Sequence, residues 1–156
     1  MAESATKGRS AVESDFDKLV PLLQTNCTRM QLEWSNYEVA ARQIIQNPDY
    51  GFFIVAEEGA EIVGVTFFTF EWSDWRDGAF IWMQGLQVLA GKDANTVITA
   101  LKSGLEAHKA TLPYPCCGVR LCTPKVLHTE AQEAMQAFEL VPTHYYIYDV
   151  QTPSAE

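Results

Sequence analysis

A chain of 156 residues with 47% hydrophobic and 20% charged side chains has enough apolar material for one sizeable core, and it reads as one domain. A net charge of −9 argues against nucleic acid or an anionic membrane surface as a partner. The same charge suits a cationic substrate such as a polyamine or basic peptide, and it equally describes an ordinary soluble protein.

In chain order, residues 1–8 are polar and read as a tail, and residues 9–13 as a short first strand. Ser14-x-x-Asp17 has the form of a capping box, opening a helix whose apolar face is Phe16, Leu19, Val20 and Leu23. Pro21 inside it predicts a kink or an early end. Ser35-x-x-Glu38 is a second box, followed at helical spacing by Tyr37, Ala41, Ile44 and Ile45 and stopped by Asn47-Pro48. Phe52 to Glu57 reads as a strand, Glu58-Gly59-Ala60 as a turn and Ile62 to Glu71 as its long antiparallel partner. SDWRDG follows, and its Asp77-Gly78 pair signals a hairpin into the strand Ala79 to Val88. The period then changes: Val97, Leu101, Leu105 and His108 mark a helix with one buried face, and Asp93 stands where a helix cap is expected. After the loop TLPYPC, residues 117–122 read as a buried strand. Thr129-x-x-Gln132 opens a last helix with Ala131, Met135 and Phe138 inward, HYYIYDV (144–150) alternates as a final strand, and residues 151–156 form a second tail.

The cysteines, Cys27, Cys116, Cys117 and Cys122, form no CxxC pair, so reduced thiols are expected rather than a zinc site or a disulfide framework. No apolar run approaches the roughly 20 residues that cross a bilayer, and MAESATKGRS lacks the apolar stretch of a secretory signal. A cytoplasmic protein is the expectation.

Two stretches carry chemistry. Strand, short loop and helix N-terminus over residues 79–105 is a geometry that binds phosphates, because the amides of the first helical turn point at the loop. In the hairpin EWSDWRDG (71–78), Glu71 or Asp74 can take a proton, directly or through water. Trp72 and Trp75 can stack on a cation or an aliphatic chain, or can simply brace the hairpin.

The hairpin EWSDWRDG with the strand IWMQGLQV (81–88) resembles small bacterial members of the GNAT acetyltransferase superfamily that carry an EWSDWRNG hairpin and a WWIQSVYV-like strand. FFIVAEEGAEIVGV (52–65) and AQEAMQAFELVPTHY (131–145) fit the same family pattern, and the likeness spans roughly residues 9–150. The resemblance implies a mixed α/β GNAT fold, with a central, mostly antiparallel sheet of about six strands flanked by about four helices. It implies acetyl transfer from acetyl-CoA to a small amine or peptide by a monomer or homodimer. The strand end at Leu86, Gln87 and Val88 and the loop and first helical turn at Lys92, Ala94, Asn95, Thr96 and Val97 would hold acetyl-CoA. Glu71 and Asp74 would manage the proton, and Trp34, Tyr37, Trp72 and Trp75 would line the acceptor side. Backbone donors near Gly85 to Val88 would stabilise the oxyanion.

Three features depart from the family pattern. Its pyrophosphate-loop Arg falls on Asp93, and its loop glycines on Thr96 and Ile98. The Tyr that protonates the departing thiolate in many members falls on Met135, whose thioether has no proton to give. An acid in place of a base weakens diphosphate binding by more than about tenfold. The same departures suit an alternative, a catalytically silent GNAT-fold module that binds a protein or small ligand.

Overall fold

The computed structural model describes residues 5–123 and 129–146. Its elements in chain order are β1 (Lys7–Ser10), α1 (Phe16–Arg29), α2 (Trp34–Gln46), β2 (Gly51–Glu58), β3 (Glu61–Ser73), β4 (Gly78–Val88), α3 (Ala94–Lys109), β5 (Cys116–Leu121) and α4 (Thr129–Ala137). The strands form one sheet in the order β1-β2-β3-β4-β5, antiparallel except where β5 runs parallel to β4. The sheet therefore has five described strands rather than about six. The sixth was expected at 144–150; residues 147–150 lie outside the described residues, and 144–146 are not in a strand.

The long hairpin is local chemistry. Asp77 takes the left-handed backbone (φ 47°) that Asp tolerates in tight turns, and β3 and β4 pair from Ser73↔Gly78 to Gly64↔Val88. One sheet face packs on α3 and α4 through Ile54, Val63, Phe68, Ile81 and Met83 against Val97, Ile98, Leu101 and Leu105. The other packs on α1 and α2 through Phe53, Val55, Val65 and Phe67 against Phe16, Leu19, Leu22, Leu23 and Ala41. Each such side chain contributes about 1.5–3 kcal/mol by leaving water. Gly64 is where α3 lies down on the sheet: a Cβ there would sit 2.3 Å from Val97 Cγ1.

Several local expectations are corrected. The first strand is Lys7–Ser10, not 9–13; Lys7 and Gly8 pair with Glu57 and Ala56, so the sheet reaches into the segment read as a tail. The box Ser14-x-x-Asp17 does not form. Instead the buried Asp15 carboxylate accepts the Val12 amide at 2.9 Å and the Arg9 guanidinium at 2.7 and 3.2 Å, while Arg9 also reaches Glu57 at 2.9 Å. Arg9, six positions back on β1, thus ties β1, β2 and the start of α1 together. α1 runs through Pro21; Asp17, whose carbonyl loses its helical partner, is an exposed residue, so water can take that bond. α2 starts at Trp34 on Glu33 without a side-chain cap, and the Glu38 of the expected second box bonds Arg42 one turn on.

Candidate active site

Pairing between β3 and β4 slips once: Phe67 faces Gly85 and Phe68 faces Met83, leaving Gln84 as an extra residue on β4. This is a β-bulge, which bends its strand and re-aims its amides. On the other side, β5 accompanies β4 only from Ala79↔Cys116 to Met83↔Leu121. From Gln84 to Val88 the outer edge of β4 has no strand beside it among the described residues. The two parallel strands part at the bulge.

A cavity of about 50 Å³ opens there, walled by Asn26 and Arg29 of α1, Met83 to Leu86 of β4, Leu121 to Thr123, and Ala131 and Ala134 of α4. Its polar side is a chain of hydrogen bonds. Arg29 Nη2 donates to the Leu86 carbonyl at 2.7 Å and to Asn26 Oδ1 at 2.6 Å, and Asn26 Nδ2 donates to the Tyr37 hydroxyl at 2.9 Å. Burial pushes the Tyr37 phenol up to about 12, and the Asn26 bond offsets only part of that, so the phenol stays protonated. Gly85 is required at the bulge: a Cβ would stand 2.5 Å from the Phe67 ring and 3.0 Å from Asn26 Nδ2.

At the end of β4, a more open pocket of about 280 Å³ is lined by Val88 to Lys92, Ala94, Thr129 and Glu133. This is the strand–loop–helix unit expected to take a diphosphate. Val88, Lys92 and Ala94 do line it, whereas Val97 is buried under Gly64, and Asn95 and Thr96 are exposed on the first turn. Asp93 caps α3 as expected, with its carboxylate accepting the Thr96 amide at 2.9 Å and the Thr96 hydroxyl at 2.5 Å. Those two bonds hold the Asp93 carboxyl below the usual range. Lys92 pairs with Glu58 at 2.6 Å and Glu61 at 3.3 Å, so its charge is already matched by two carboxylates. Glu133 adds a fourth carboxylate, and among the described residues its Oε2 is buried without a hydrogen-bond partner. With these carboxylates around one matched lysine, the α3 terminus is electrostatically poor for a diphosphate.

The hairpin residues are split between faces. Glu71, Trp82 and Arg120 share the face toward α1 and α2: Glu71 Oε2 accepts the Trp82 indole N–H at 2.6 Å, and Oε1 accepts Arg120 at 3.1 Å. Arg120 also stacks over the Phe80 ring at 3.5 Å. Gln84 donates to Thr69 at 2.8 Å on the same floor. Trp72 points to the opposite face, where it meets the Tyr114 ring edge-on, as Phe70 also does, while Asp74 and Trp75 lie on the exposed turn. Trp34 packs on Tyr37, which meets Phe67 edge-on. Gln87 is buried and bonds the Val88 carbonyl at 2.9 Å. Arg29 and Asn26 were not singled out in the sequence. A polar Asn on the apolar stripe of α1 was a usable signal; the contact from Arg29 to a carbonyl 57 positions away was not.

The architecture matches solved structures along almost its whole length. A possible acetyltransferase from Clostridium difficile 630 superposes with a TM-score of 0.78 at 18% identity, covering 96% of this chain and 99% of that one. The chain has the GNAT fold. The ribosomal-protein-alanine N-acetyltransferase from Brucella melitensis biovar Abortus 2308 matches with a TM-score of 0.75 at 14% identity over 95% and 99%. An aminoglycoside N-acetyltransferase in complex with CoA matches at 0.71, with 16% identity over 96% and 97%. No protein-family model and no curated protein sequence matches the chain. Among the described residues no helix is long and apolar enough to cross a membrane.

Proposed function

We propose that this GNAT-fold chain is a cytoplasmic N-acetyltransferase that moves an acetyl group from weakly held acetyl-CoA to a small amine or peptide. The observation that carries the reading is the Gln84 bulge at the parting of β4 and β5, with a cavity beside Gly85 and Leu86. There the free edge of β4 offers amides to a thioester carbonyl, the donors that acyl transfer requires. The amine approaches over the floor made by Thr69, Glu71, Trp82 and Gln84 and attacks the carbonyl carbon; the thiolate leaves and the amine proton passes to water. Glu71 orients Trp82 and Arg120 on that floor, since both its oxygens are engaged.

A second reading, a silent GNAT-fold binding module, is favoured by the α3 terminus, where Asp93 occupies the Thr96 amide and Lys92 is matched by Glu58 and Glu61. Calorimetric titration with acetyl-CoA and CoA, followed by an acetyl-transfer assay over amines and polyamines, separates the two. Sub-millimolar binding with transfer above background is expected. Binding without transfer supports the module, and no heat at millimolar ligand removes the first reading.

A further inference from the structure

We infer that the side-chain amide of Asn26 donates a hydrogen bond to the thioester oxygen, beside the backbone amides of the β4 edge. The inference rests on the acyl-transfer reading above and adds a catalytic residue to it.

Asn26 lies on α1 and lines the cavity at the parting of β4 and β5, together with Gly85 and Leu86. It is 3% exposed, and it stands on a helix face otherwise buried through Phe16, Leu19, Leu22, Leu23 and Cys27. Its partners tell the two ends of the amide apart. A guanidinium only donates, so the oxygen is the end that meets Arg29 at 2.6 Å, and the nitrogen meets the Tyr37 hydroxyl at 2.9 Å. A side-chain amide nitrogen has two hydrogens, and Tyr37 takes one of them. The second has no acceptor among the described residues. A buried donor left unmade is costly, so this one fits a site that a ligand completes. The nitrogen also stands at the bulge, 3.0 Å from the place that a Gly85 Cβ would take. Gly85 directly follows the extra residue Gln84, so the spare donor and the free edge of β4 serve the same small cavity.

The reaction has a use for it. When the amine attacks, the carbon–nitrogen bond forms and the carbonyl π electrons move to oxygen. On collapse they return, the carbon–sulfur bond breaks, sulfur leaves with its electron pair, and the amine proton passes to water. Between those events the oxygen holds a negative charge. A donor already fixed at both ends of its amide binds that charge more tightly than the ground-state carbonyl and needs no reorganisation to do so.

The test uses the intact protein with acetyl-CoA and with S-ethyl-CoA, in which a methylene replaces the carbonyl. Calorimetry gives the preference for acetyl-CoA over S-ethyl-CoA in wild type, Asn26→Ala and Asn26→Asp. Asn26→Asp keeps the shape of the side chain and can accept from both Arg29 and the Tyr37 hydroxyl, but it has no N–H. The preference should fall about threefold to tenfold in Asn26→Ala, and at least as far in Asn26→Asp. Proton–nitrogen NMR of wild type tests the same bond even where a variant does not fold: an Asn26 side-chain amide proton should move downfield with acetyl-CoA and not with S-ethyl-CoA. A preference within about twofold of wild type in either variant, or equal movement of that signal with both ligands, overturns the inference while leaving the backbone donors standing. Absence of binding by both compounds overturns the acyl-transfer reading and this inference together.

Discussion

Gly85→Ala tests whether the bulge is pinned by packing. The added methyl would lie 2.5 and 3.1 Å from Cε1 and Cζ of Phe67 and 3.0 Å from Asn26 Nδ2. Carbon pairs sit comfortably at about 3.5–4.0 Å, so the ring must retreat by about 1 Å. It has little room, because Phe67 stacks on buried Phe53 at 4.9 Å and meets Tyr37 edge-on at 6.2 Å. Overpacking of this kind costs about 1–3 kcal/mol. Replacing Gly also stiffens the unfolded chain, which returns about 0.4–1 kcal/mol. The net loss should be about 1–2 kcal/mol, a fall in Tm of roughly 2–8 °C for a chain of this size. Urea denaturation should show the midpoint lowered at unchanged slope. A loss below about 0.5 kcal/mol would mean that Phe67 and Asn26 repack freely and that the bulge geometry is not held as argued.

The α3 terminus gives a pair of opposed outcomes. Asp93→Ser keeps a capping oxygen and removes a charge, so calorimetry should show CoA binding improved about threefold to tenfold at unchanged Tm. Asp93→Arg should improve binding further while lowering Tm by about 2–4 °C, because the cap on Thr96 is gone. Asp15→Asn should cost about 1–2 kcal/mol, moderated by the 37% exposure of the Arg9 side chain. The Arg9 guanidinium holds the Asp15 carboxyl below its ordinary value, so its contribution is complete above about pH 4 and fades as pH falls through the lowered value. Melting curves from pH 6 down to pH 2 should therefore be less acid-sensitive in Asp15→Asn. Glu71→Gln should lower the acetyl-transfer rate by less than about tenfold, because Glu71 is engaged by Trp82 and Arg120; a loss of 10² or more would instead make it a general base.

Local chemistry was legible in the chain. The Asp77-Gly78 turn, the Asp93 cap, the Asn47 stop after α2 and the helical spacing through Leu105 depend on neighbours a few positions apart, and each forms as read. The periods gave strands and helices for a mixed sheet-and-helix domain, and the resemblance of EWSDWRDG and IWMQGLQV to GNAT members chose the fold among those that cover both sheet faces. Tertiary structure alone decided how the site is furnished. Where a capping box at Ser14 was read, Arg9, placed by the pairing of β1 with β2, bridges Asp15 and Glu57. The hairpin's Glu71 and Trp72 went to opposite faces, because a pleated strand alternates and the register set which face meets α1 and α2. Lys92, in the loop before α3, was drawn to Glu58 and Glu61 across the β2–β3 turn. Arg29 entered the cleft through a carbonyl that only folding brings near. Caps and turns are properties of a few consecutive residues, whereas a charge or hydrogen bond between distant segments exists only once packing has fixed the distance between them.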